Sequence, residues 1–396
     1  MVPGPTELSW RVIRAMMRPS IAHYDPEFNE EVLDATLVEL KNVFKTKNEV
    51  LAVPGSGRVA LETSIASAIE AGDKVLSVTA GIFGPWQAEM AKRVGADATV
   101  FPVEWGKQIE LDMLEKAIRK DRYTALTVAH NETTTGAVYP IKEVGELARK
   151  YDLLYFVDTV SSLGGVNVET DDWGIDFNMT ASHKCLGAPV GLAIVAVSQR
   201  GWERMEKRKK PATTFSFDLL RWKKWWIPKE RGGNLEQIWR RQPITMPVYS
   251  VYALAEATKM IIEEGLENRF KRHQIVGRAV RDAVRKIGLE LLCEDEVVSD
   301  TLTAVRNPPG IKDVDVRSTM ARYGIMISGG LEKLSGKIMR IAHMGETANP
   351  EYVRPTILAL EMALTALGHK FDRDAGIKAA DEVLKEISGP RKVSPL

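Results

Sequence analysis

One lysine lies in a sequence context that favours a reactive, partly buried amine over a solvated surface charge. Lys184 lies in the segment ASHKCLGAPVG (181–191), among small residues and glycines and just before an apolar run. In a partly desolvated site the pKa of its amine would fall, which would make it a usable nucleophile for forming a Schiff base with a carbonyl group. A solvated surface lysine is the alternative, but the flanking residues leave no helical face on which to solvate it.

An aspartate follows a second apolar run. Residues 153–157 (LLYFV) predict a buried strand that delivers Asp158 to its carboxyl end, and in open α/β sheets that end faces the ligand crevice. A carboxylate there can pair with a protonated ring nitrogen. Pyridoxal phosphate needs this pairing to stabilise a carbanion at a substrate's α-carbon. An aspartate that only caps the next segment is the alternative interpretation.

A glycine-rich turn, PGSGR at 54–58, precedes a helical stretch at 59–71. Such a turn presents free backbone N–H groups at the positive end of the helix dipole and can therefore bind a phosphate. Ser56 could add a hydroxyl donor, and Arg58 a guanidinium, to the same anion. Taken alone, the pattern is also explained by a plain tight turn.

An arginine lies inside a strand-like apolar run near the C-terminal end of the sequence. Arg340 stands in KIMRI (337–341), after the segment SGG at 328–330. A guanidinium in an apolar run is costly unless it has an anionic partner, and a two-pronged contact with a substrate α-carboxylate would supply one. A structural salt bridge is the alternative.

The elements around these residues predict an α/β protein. Apolar runs at 75–79, 99–103, 125–129, 153–157 and 192–197 read as buried strands, and helical spacing separates them at 111–120 and 141–151. This alternation predicts an open, mostly parallel sheet with helices on both faces.

The pattern of predicted helices and strands changes after about residue 200. A helical pattern runs over 248–287 with a break near Gly265, short β-like segments follow at 302–306, 325–328 and 338–343, and a helix is expected at 350–367. We predict a large domain at 15–260, a smaller α+β domain formed by 1–14 plus 261–385, and a tail at 386–396.

Composition excludes several function classes. Charged residues make up 27% of the chain and the formal net charge is +1. The charge balance therefore gives no indication of binding to nucleic acid or to an anionic membrane. No apolar run approaches the roughly 18–20 residues that span a bilayer. Two cysteines provide neither a disulfide framework nor a metal-binding pair. We expect a cytoplasmic protein without a metal site.

Together, these motifs resemble the class V aminotransferases of the fold type I pyridoxal-phosphate enzymes, in the alanine–glyoxylate / serine–pyruvate branch. The likeness runs from the PGP segment at 3–5 to about residue 367 and rests on the order and spacing of the motifs. It implies a pyridoxal-phosphate aminotransferase that acts as a homodimer on small amino acids and 2-oxo acids. It also implies a large domain built on a mostly parallel sheet, with a smaller α+β domain.

The resemblance assigns a role to each matching residue. Lys184 would carry the cofactor as a Schiff base and Asp158 would face its ring nitrogen. The remaining matches are Ser56, Gly57 and Arg58 for the phosphate (Arg58 replacing a usual His), Phe83 for stacking on the ring (replacing a Trp), Thr133 for a hydroxyl near the cofactor, His183 beside the lysine (where Gln is frequent), Thr245 for the phosphate across a dimer interface, and Gly4 and Arg340 for the substrate.

Other functions stay open on the same scaffold. Ureidoglycine–glyoxylate and pyridoxamine–pyruvate transamination use very similar chains. A cysteine desulfurase would need a mobile cysteine on a Gly/Ser-rich loop, whereas Cys293 lies in LLCED. A pyridoxal-phosphate-sensing regulator would need a DNA-binding domain before the catalytic one.

Overall fold

The computed structural model describes residues 1–233, 235 and 240–387. The α-helices in these residues are α1 (Trp10–Ala15), α2 (Ala35–Phe44), α3 (Gly57–Ala68), α4 (Phe83–Arg93), α5 (Leu111–Ile118), α6 (Ile141–Lys150), α7 (Gln199–Glu206), α8 (Leu219–Trp226), α9 (Val248–Glu264), α10 (Leu266–Lys286), α11 (Asp313–Arg322), α12 (Pro350–Ala366) and α13 (Ala375–Leu384). The strands are β1 (Glu49–Gly55), β2 (Lys74–Thr79), β3 (Asp97–Pro102), β4 (Ala125–Ala129), β5 (Asn131–Glu132), β6 (Ala137–Val138), β7 (Leu154–Asp158), β8 (Phe177–Ala181), β9 (Gly191–Val197), β10 (Leu302–Arg306), β11 (Ser328–Gly329) and β12 (Ile338–Ala342).

A seven-stranded sheet forms the centre of the molecule, in the order β1-β9-β8-β7-β4-β2-β3. β9 runs antiparallel to both of its neighbours, and the other neighbouring pairs are parallel. The predicted α/β class with a mostly parallel sheet is confirmed. All five residues of β4 and of β7 are buried, as expected where helices cover both faces.

The covering helices present one apolar face to the sheet. In α6 the buried residues are Ile141, Val144, Gly145 and Ala148, which follow the i, i+3, i+4, i+7 spacing of an amphipathic helix.

The outer strand differs from the prediction. The run at 99–103 was expected to be buried on both faces, but among the strands of the described residues β3 pairs only with β2, and Thr99 and Val100 are exposed. It lies at the end of the sheet, so its apolar side chains have no second strand to pack against. The expectation of a buried strand there is therefore wrong.

The C-terminal part builds a second structural layer. β10, β12 and β11 form a three-stranded antiparallel sheet, and α10, α12 and α13 pack together beside it. The predicted break near Gly265 separates α9 from α10. A hydrophobic cluster of its own runs from Val276 to Leu384. This cluster supports the proposed small domain, and the end of the expected tail (388–396) lies outside the described residues.

The N-terminal segment connects this second layer to the central sheet. The Ala342 N–H of β12 donates to the Met1 carbonyl (2.9 Å), and the Thr6 N–H donates to the His183 carbonyl (3.2 Å). Residues 1–6 thus pass from β12 to the loop after β8, which carries Lys184. None of the described helices combines the length and the hydrophobicity needed to cross a membrane.

Candidate active site

The site begins where β7 and β8 end. These strands are parallel neighbours, so Asp158 at the end of β7 and the segment 182–184 after β8 emerge at one edge of the sheet. The start of α3 lies against the same edge. A Cβ added to Gly57 would lie 2.8 Å from a Val160 methyl group. Glycine at 57 therefore lets the helix N-terminus approach the segment that follows Asp158.

Lys184 lies under the N-terminal segment. Its Nζ donates a hydrogen bond to the Pro3 carbonyl, and a Cβ on Gly4 would lie 2.9 Å from that Nζ. The Thr6 hydroxyl donates to the Lys184 carbonyl (3.1 Å). Gly4, a predicted substrate-binding residue, thus lies directly against the lysine because it lacks a side chain.

The environment of Lys184 favours the neutral amine. Burial lowers the pKa of the amine to about 8, and the nearby Arg340 charge acts in the same direction. The negative charges of Asp158 and Glu132 oppose this shift. All three side chains are close enough to influence the amine electrostatically. A neutral amine is the nucleophilic form.

Asp158 is a buried carboxylate supported mainly by the backbone. Burial raises its pKa to about 7, and Glu132 adds to the increase. The Val160 N–H donates to Oδ1 at 2.8 Å and, with Lys184, partly opposes the shift. A cationic ring nitrogen beside this carboxylate would stabilise its charged form.

Arg340 projects from β12 and is held by two carbonyl groups. Its Nε donates to the Gly329 carbonyl and its Nη1 to the Thr133 carbonyl, both at 2.8 Å. The side chain is 5% exposed, and burial lowers its pKa to about 10. The guanidinium therefore stays protonated at neutral pH. No ion pair within 4 Å engages it among the described residues, so its Nη2 end is available to an anion.

Thr133 joins the two sides of the site. Its hydroxyl shares a hydrogen bond of 2.6 Å with the Ser161 hydroxyl, while its carbonyl accepts from Arg340. Ser161 lies three residues after Asp158. The predicted cofactor hydroxyl thus lies between the β7 edge and Arg340.

The residues predicted for phosphate binding and stacking lie at the starts of α3 and α4. Ser56 is the residue before α3 and makes no side-chain cap, so its hydroxyl, which has no partner among the described residues, could bind an anion. Arg58 is exposed, and its guanidinium lies 5.0 Å from the centre of the Trp86 ring. That ring meets Phe83 edge-on at 5.1 Å. Arg58 is therefore linked through Trp86 to the predicted stacking residue.

His183 and Thr245 differ in their surroundings. His183 is buried, burial lowers its pKa to about 4, and its Nδ1 has no hydrogen-bond partner among the described residues. Thr245 is exposed just before α9, and no described hydrogen bond joins it to the other predicted site residues. Gln242, three residues earlier, is buried and hydrogen-bonded to Asn29 and His23.

The sequence reasoning missed Glu132. Its carboxylate is 1% exposed and influences Lys184, Asp158 and Arg340. The only sequence indication was an acidic residue within the polar segment HNETTTG (130–136), and its role depends on contacts with distant parts of the chain.

The chemistry of these groups fits pyridoxal phosphate. A buried amine of lowered pKa suits an aldehyde, the Asp158 carboxylate suits a protonated ring nitrogen, and the N-terminus of α3 with a free Ser56 hydroxyl suits a phosphate. The Nδ1 of His183, which has no partner within residues 1–233, 235 and 240–387, is a further polar atom that a bound group would satisfy.

The chain is similar over most of its length to several known proteins. The family model described as Aminotransferase class-V matches residues 14–354. An uncharacterized aminotransferase of Methanocaldococcus jannaschii is 40% identical over 97% of each chain. The alanine–glyoxylate aminotransferase of Rattus norvegicus is 33% identical over 91% of this chain and 86% of its own. The crystal structure of ureidoglycine–glyoxylate aminotransferase from Bacillus subtilis superimposes with a TM-score of 0.91 at 32% identity, covering 97% of both chains.

The lowered pKa of Lys184 predicts where and at which pH a carbonyl reagent labels the protein. Cofactor-free protein is mixed with pyridoxal phosphate from pH 6 to 10, reduced with borohydride and mapped by peptide mass spectrometry. The label should lie on Lys184, and its initial rate should rise through about pH 8, where half of the amine is neutral. Lys184→Ala is the control and should lose the label. Labelling of another lysine, or a rate that begins to rise only near pH 10, would contradict the assignment.

Proposed function

The chain belongs to the class V aminotransferase family, and we propose that it transfers an amino group from alanine or serine to a 2-oxo acid such as glyoxylate or pyruvate. The enzyme depends on pyridoxal phosphate, as class V aminotransferases of this fold do. The observation that carries the proposal is the buried Lys184 amine in the field of Arg340 and Asp158. The Arg340 guanidinium would bind the substrate, and the Asp158 carboxylate would pair with the cofactor ring.

Three residues divide the chemistry in this proposal. Bound pyridoxal phosphate supplies an aldehyde that combines with amines and a protonated ring that withdraws electrons from the substrate's α-carbon. The Lys184 Nζ would hold the cofactor covalently and, when its amine is free, would take the proton from the substrate's α-carbon. The Asp158 carboxylate keeps the ring nitrogen protonated. Arg340 binds the α-carboxylate and so orients the α C–H bond.

The remaining site residues hold and enclose the reactants. Ser56 and Gly57, with the start of α3, bind the phosphate, and Phe83 packs on the ring. Thr133 places a hydroxyl near the cofactor. Gly4 leaves room for the substrate beside Lys184 while its backbone helps to exclude water. His183 is assigned to the cofactor because its buried Nδ1 finds no hydrogen-bond partner in the described part of the chain.

The alternatives differ in how well the structure supports them. Ureidoglycine–glyoxylate transamination gains support from the TM-score of 0.91, and pyridoxamine–pyruvate transamination would use the same lysine and aspartate. A cysteine desulfurase has little support. The Cys293 thiol donates to the Thr135 carbonyl at 3.0 Å, and burial raises its pKa to about 12. Such a thiol is a poor nucleophile.

A donor and acceptor panel tests the proposed substrates. Purified enzyme is assayed with alanine, serine, ureidoglycine and pyridoxamine as donors and with glyoxylate and pyruvate as acceptors, with keto-acid or aldehyde formation as the readout. Alanine or serine should exceed the other donors in kcat/KM by at least about tenfold, a difference within reach of a small-substrate pocket. Lys184→Ala measures the background. A preference for ureidoglycine or pyridoxamine would overturn the substrate assignment and leave the aminotransferase class intact.

Replacing Arg340 tests its role as the carboxylate-binding residue. Lysine keeps the charge but cannot make the planar two-pronged contact. A hydrogen bond to a charged group contributes roughly 1.5–3 kcal/mol, so Arg340→Lys should lower kcat/KM about 10- to 100-fold. Amino and keto acids should be affected together because both use one site. Cofactor content, measured by visible absorbance, should not change. Lost cofactor with unimpaired turnover of the remaining holoenzyme would make Arg340 a cofactor residue instead.

We also propose a homodimer in which Thr245 contacts the phosphate of the partner's cofactor. Two exposed residues support this: Thr245 itself, and Tyr249 in the first turn of α9, which is 47% exposed. Subunits with Lys184→Ala are mixed with subunits carrying Thr245→Asp, whose negative charge would repel the phosphate. Each variant alone should be nearly inactive, whereas mixed dimers should regain one intact site. No recovery in verified mixed dimers, or an active monomer in sedimentation, would contradict the proposal.

A further inference from the structure

Glu132 is a buried carboxylate whose two oxygens bind two separate segments. Oε1 accepts the N–H of Thr134 at 2.9 Å, within its own loop. Oε2 accepts the N–H of Phe83 at 3.4 Å, from a segment about fifty residues earlier in the chain. A buried carboxylate requires such donors because it has lost its water. Glu132 therefore joins the β5 segment to the start of α4.

The start of α4 depends on this contact. Phe83 is the first residue of α4, and the preceding residue, Ile82, has no polar side chain to cap the helix. The Ile82 N–H instead donates to the Thr134 hydroxyl at 3.3 Å. The first N–H groups of a helix need acceptors, and a carboxylate also interacts favourably with the helix dipole. The β5 segment thus caps α4 from outside, and the residue it fixes is Phe83.

Close packing holds the carboxylate in place. A Cβ added to Gly81 would lie 2.1 Å from Cδ of Glu132 and 2.5 Å from Oε2. Only glycine at 81 leaves room for Glu132 to reach the helix start.

The same loop also holds the substrate-facing arginine. The carbonyl of Thr133, the residue after Glu132, accepts the Nη1 of Arg340 at 2.8 Å. The Glu132 charge also stabilises the charged guanidinium. The position of Arg340 is therefore tied to the loop that caps α4.

We propose that Glu132 is a positioning residue that couples Phe83 on the cofactor side to Arg340 on the substrate side of the active site. The proposal rests on the proposed function, because it takes Phe83 to pack on the cofactor ring and Arg340 to bind the substrate carboxylate. Glu132 touches neither reactant in this scheme. It acts through the N-terminus of α4 and through the loop at 132–134.

Two substitutions at Glu132 separate its contacts. Glu132→Ala removes both acceptor oxygens, so Phe83 and Arg340 should each lose a support. Glu132→Gln keeps one acceptor oxygen for the N–H groups but loses the charge beside Arg340. We expect Glu132→Ala to weaken cofactor binding by the cofactor-free protein about tenfold or more, the size of a lost charged hydrogen bond. Its KM for amino and keto acids should rise as well.

The glutamine variant should restore much of the cofactor affinity, because an amide oxygen can accept the Phe83 N–H. Its effect should be mainly on KM, because the Phe83 N–H keeps an acceptor while the guanidinium loses a neighbouring negative charge. Cofactor affinity is measured by equilibrium dialysis and substrate binding by the separation of KM from kcat. Equal loss of cofactor affinity in the alanine and glutamine variants would overturn the coupling through Phe83.

Glu361 provides a matched control. It is also a buried glutamate that caps a distant helix segment, since its Oε1 accepts the Gly376 and Ile377 N–H groups of α13 at 2.7 and 3.3 Å. Glu361→Ala should lower the melting temperature by an amount similar to that of Glu132→Ala. It should leave the cofactor dissociation constant and KM within about twofold of the parent protein. If Glu132→Ala behaves in the same way, Glu132 is structural only and the proposal fails.

The contact with Gly81 gives an independent test. Gly81→Ala should displace the carboxylate and reproduce the loss of cofactor affinity seen in Glu132→Ala. In the Glu132→Ala background the same methyl group enters vacated space, so the two effects should be strongly non-additive. Additive effects would show that Gly81 and Glu132 act separately and would overturn the coupling.

Failure of the proposed function has a different signature. It would appear in the unmodified protein, as absence of borohydride-trapped cofactor on Lys184 or absence of transamination. Failure of the present proposal leaves both intact and appears only in the Glu132 and Gly81 variants.

Discussion

The structure of this site is governed by the burial of four ionisable side chains: Lys184, Asp158, Glu132 and Arg340. An ion moved out of water without a partner loses several kcal/mol even after the protein relaxes. Direct ion pairs within the group would offset part of that penalty, but in the proposed site they would also occupy the groups that must meet cofactor and substrate. None of these four side chains forms an ion pair within 4 Å among the described residues.

The backbone supplies the compensation instead. The Pro3 carbonyl accepts from Lys184, the Gly329 and Thr133 carbonyls accept from Arg340, and N–H groups of Val160, Thr134 and Phe83 donate to the two carboxylates. A hydrogen bond to a charged group contributes roughly 1.5–3 kcal/mol. These contacts hold each side chain from one side and leave its charge available on the other. Two irregular parts of the fold supply several of these groups. The N-terminal segment places the Pro3 carbonyl against Lys184, and the loop that follows the two-residue strand β5 provides the Thr134 N–H and the Thr133 carbonyl.

Sequence reasoning succeeded where a local pattern determined the outcome. The run at 125–129 is β4 and the run at 302–306 is β10, because both runs are mostly apolar over the length of a strand. It failed where long-range packing decided. β8 contains Asn178 and Thr180, which are buried because they hydrogen-bond to Thr170 and Thr159, so no apolar run marked this strand. The roles suggested for Lys184 and Asp158 could be read from short motifs. That of Glu132 could not, because its acceptor atoms meet an N–H some fifty residues away.

The contrast between local motifs and long-range contacts also explains why the reaction class is easier to infer than the substrate. In the proposed site Arg340 binds the carboxylate that all amino and keto acids share, so it cannot separate alanine from serine. The two donors differ by one hydroxyl, which a site with no dedicated partner for it distinguishes by only about 1–3 kcal/mol. Pyridoxamine differs more fundamentally, because it carries no carboxylate. An enzyme that uses pyridoxamine as donor would need Arg340 only in the half-reaction with pyruvate, whereas an amino-acid transaminase needs it in both. Whether one or both half-reactions depend on the Arg340 guanidinium therefore distinguishes a pyridoxamine transaminase from an amino-acid transaminase, although the same residues would perform the chemistry in both.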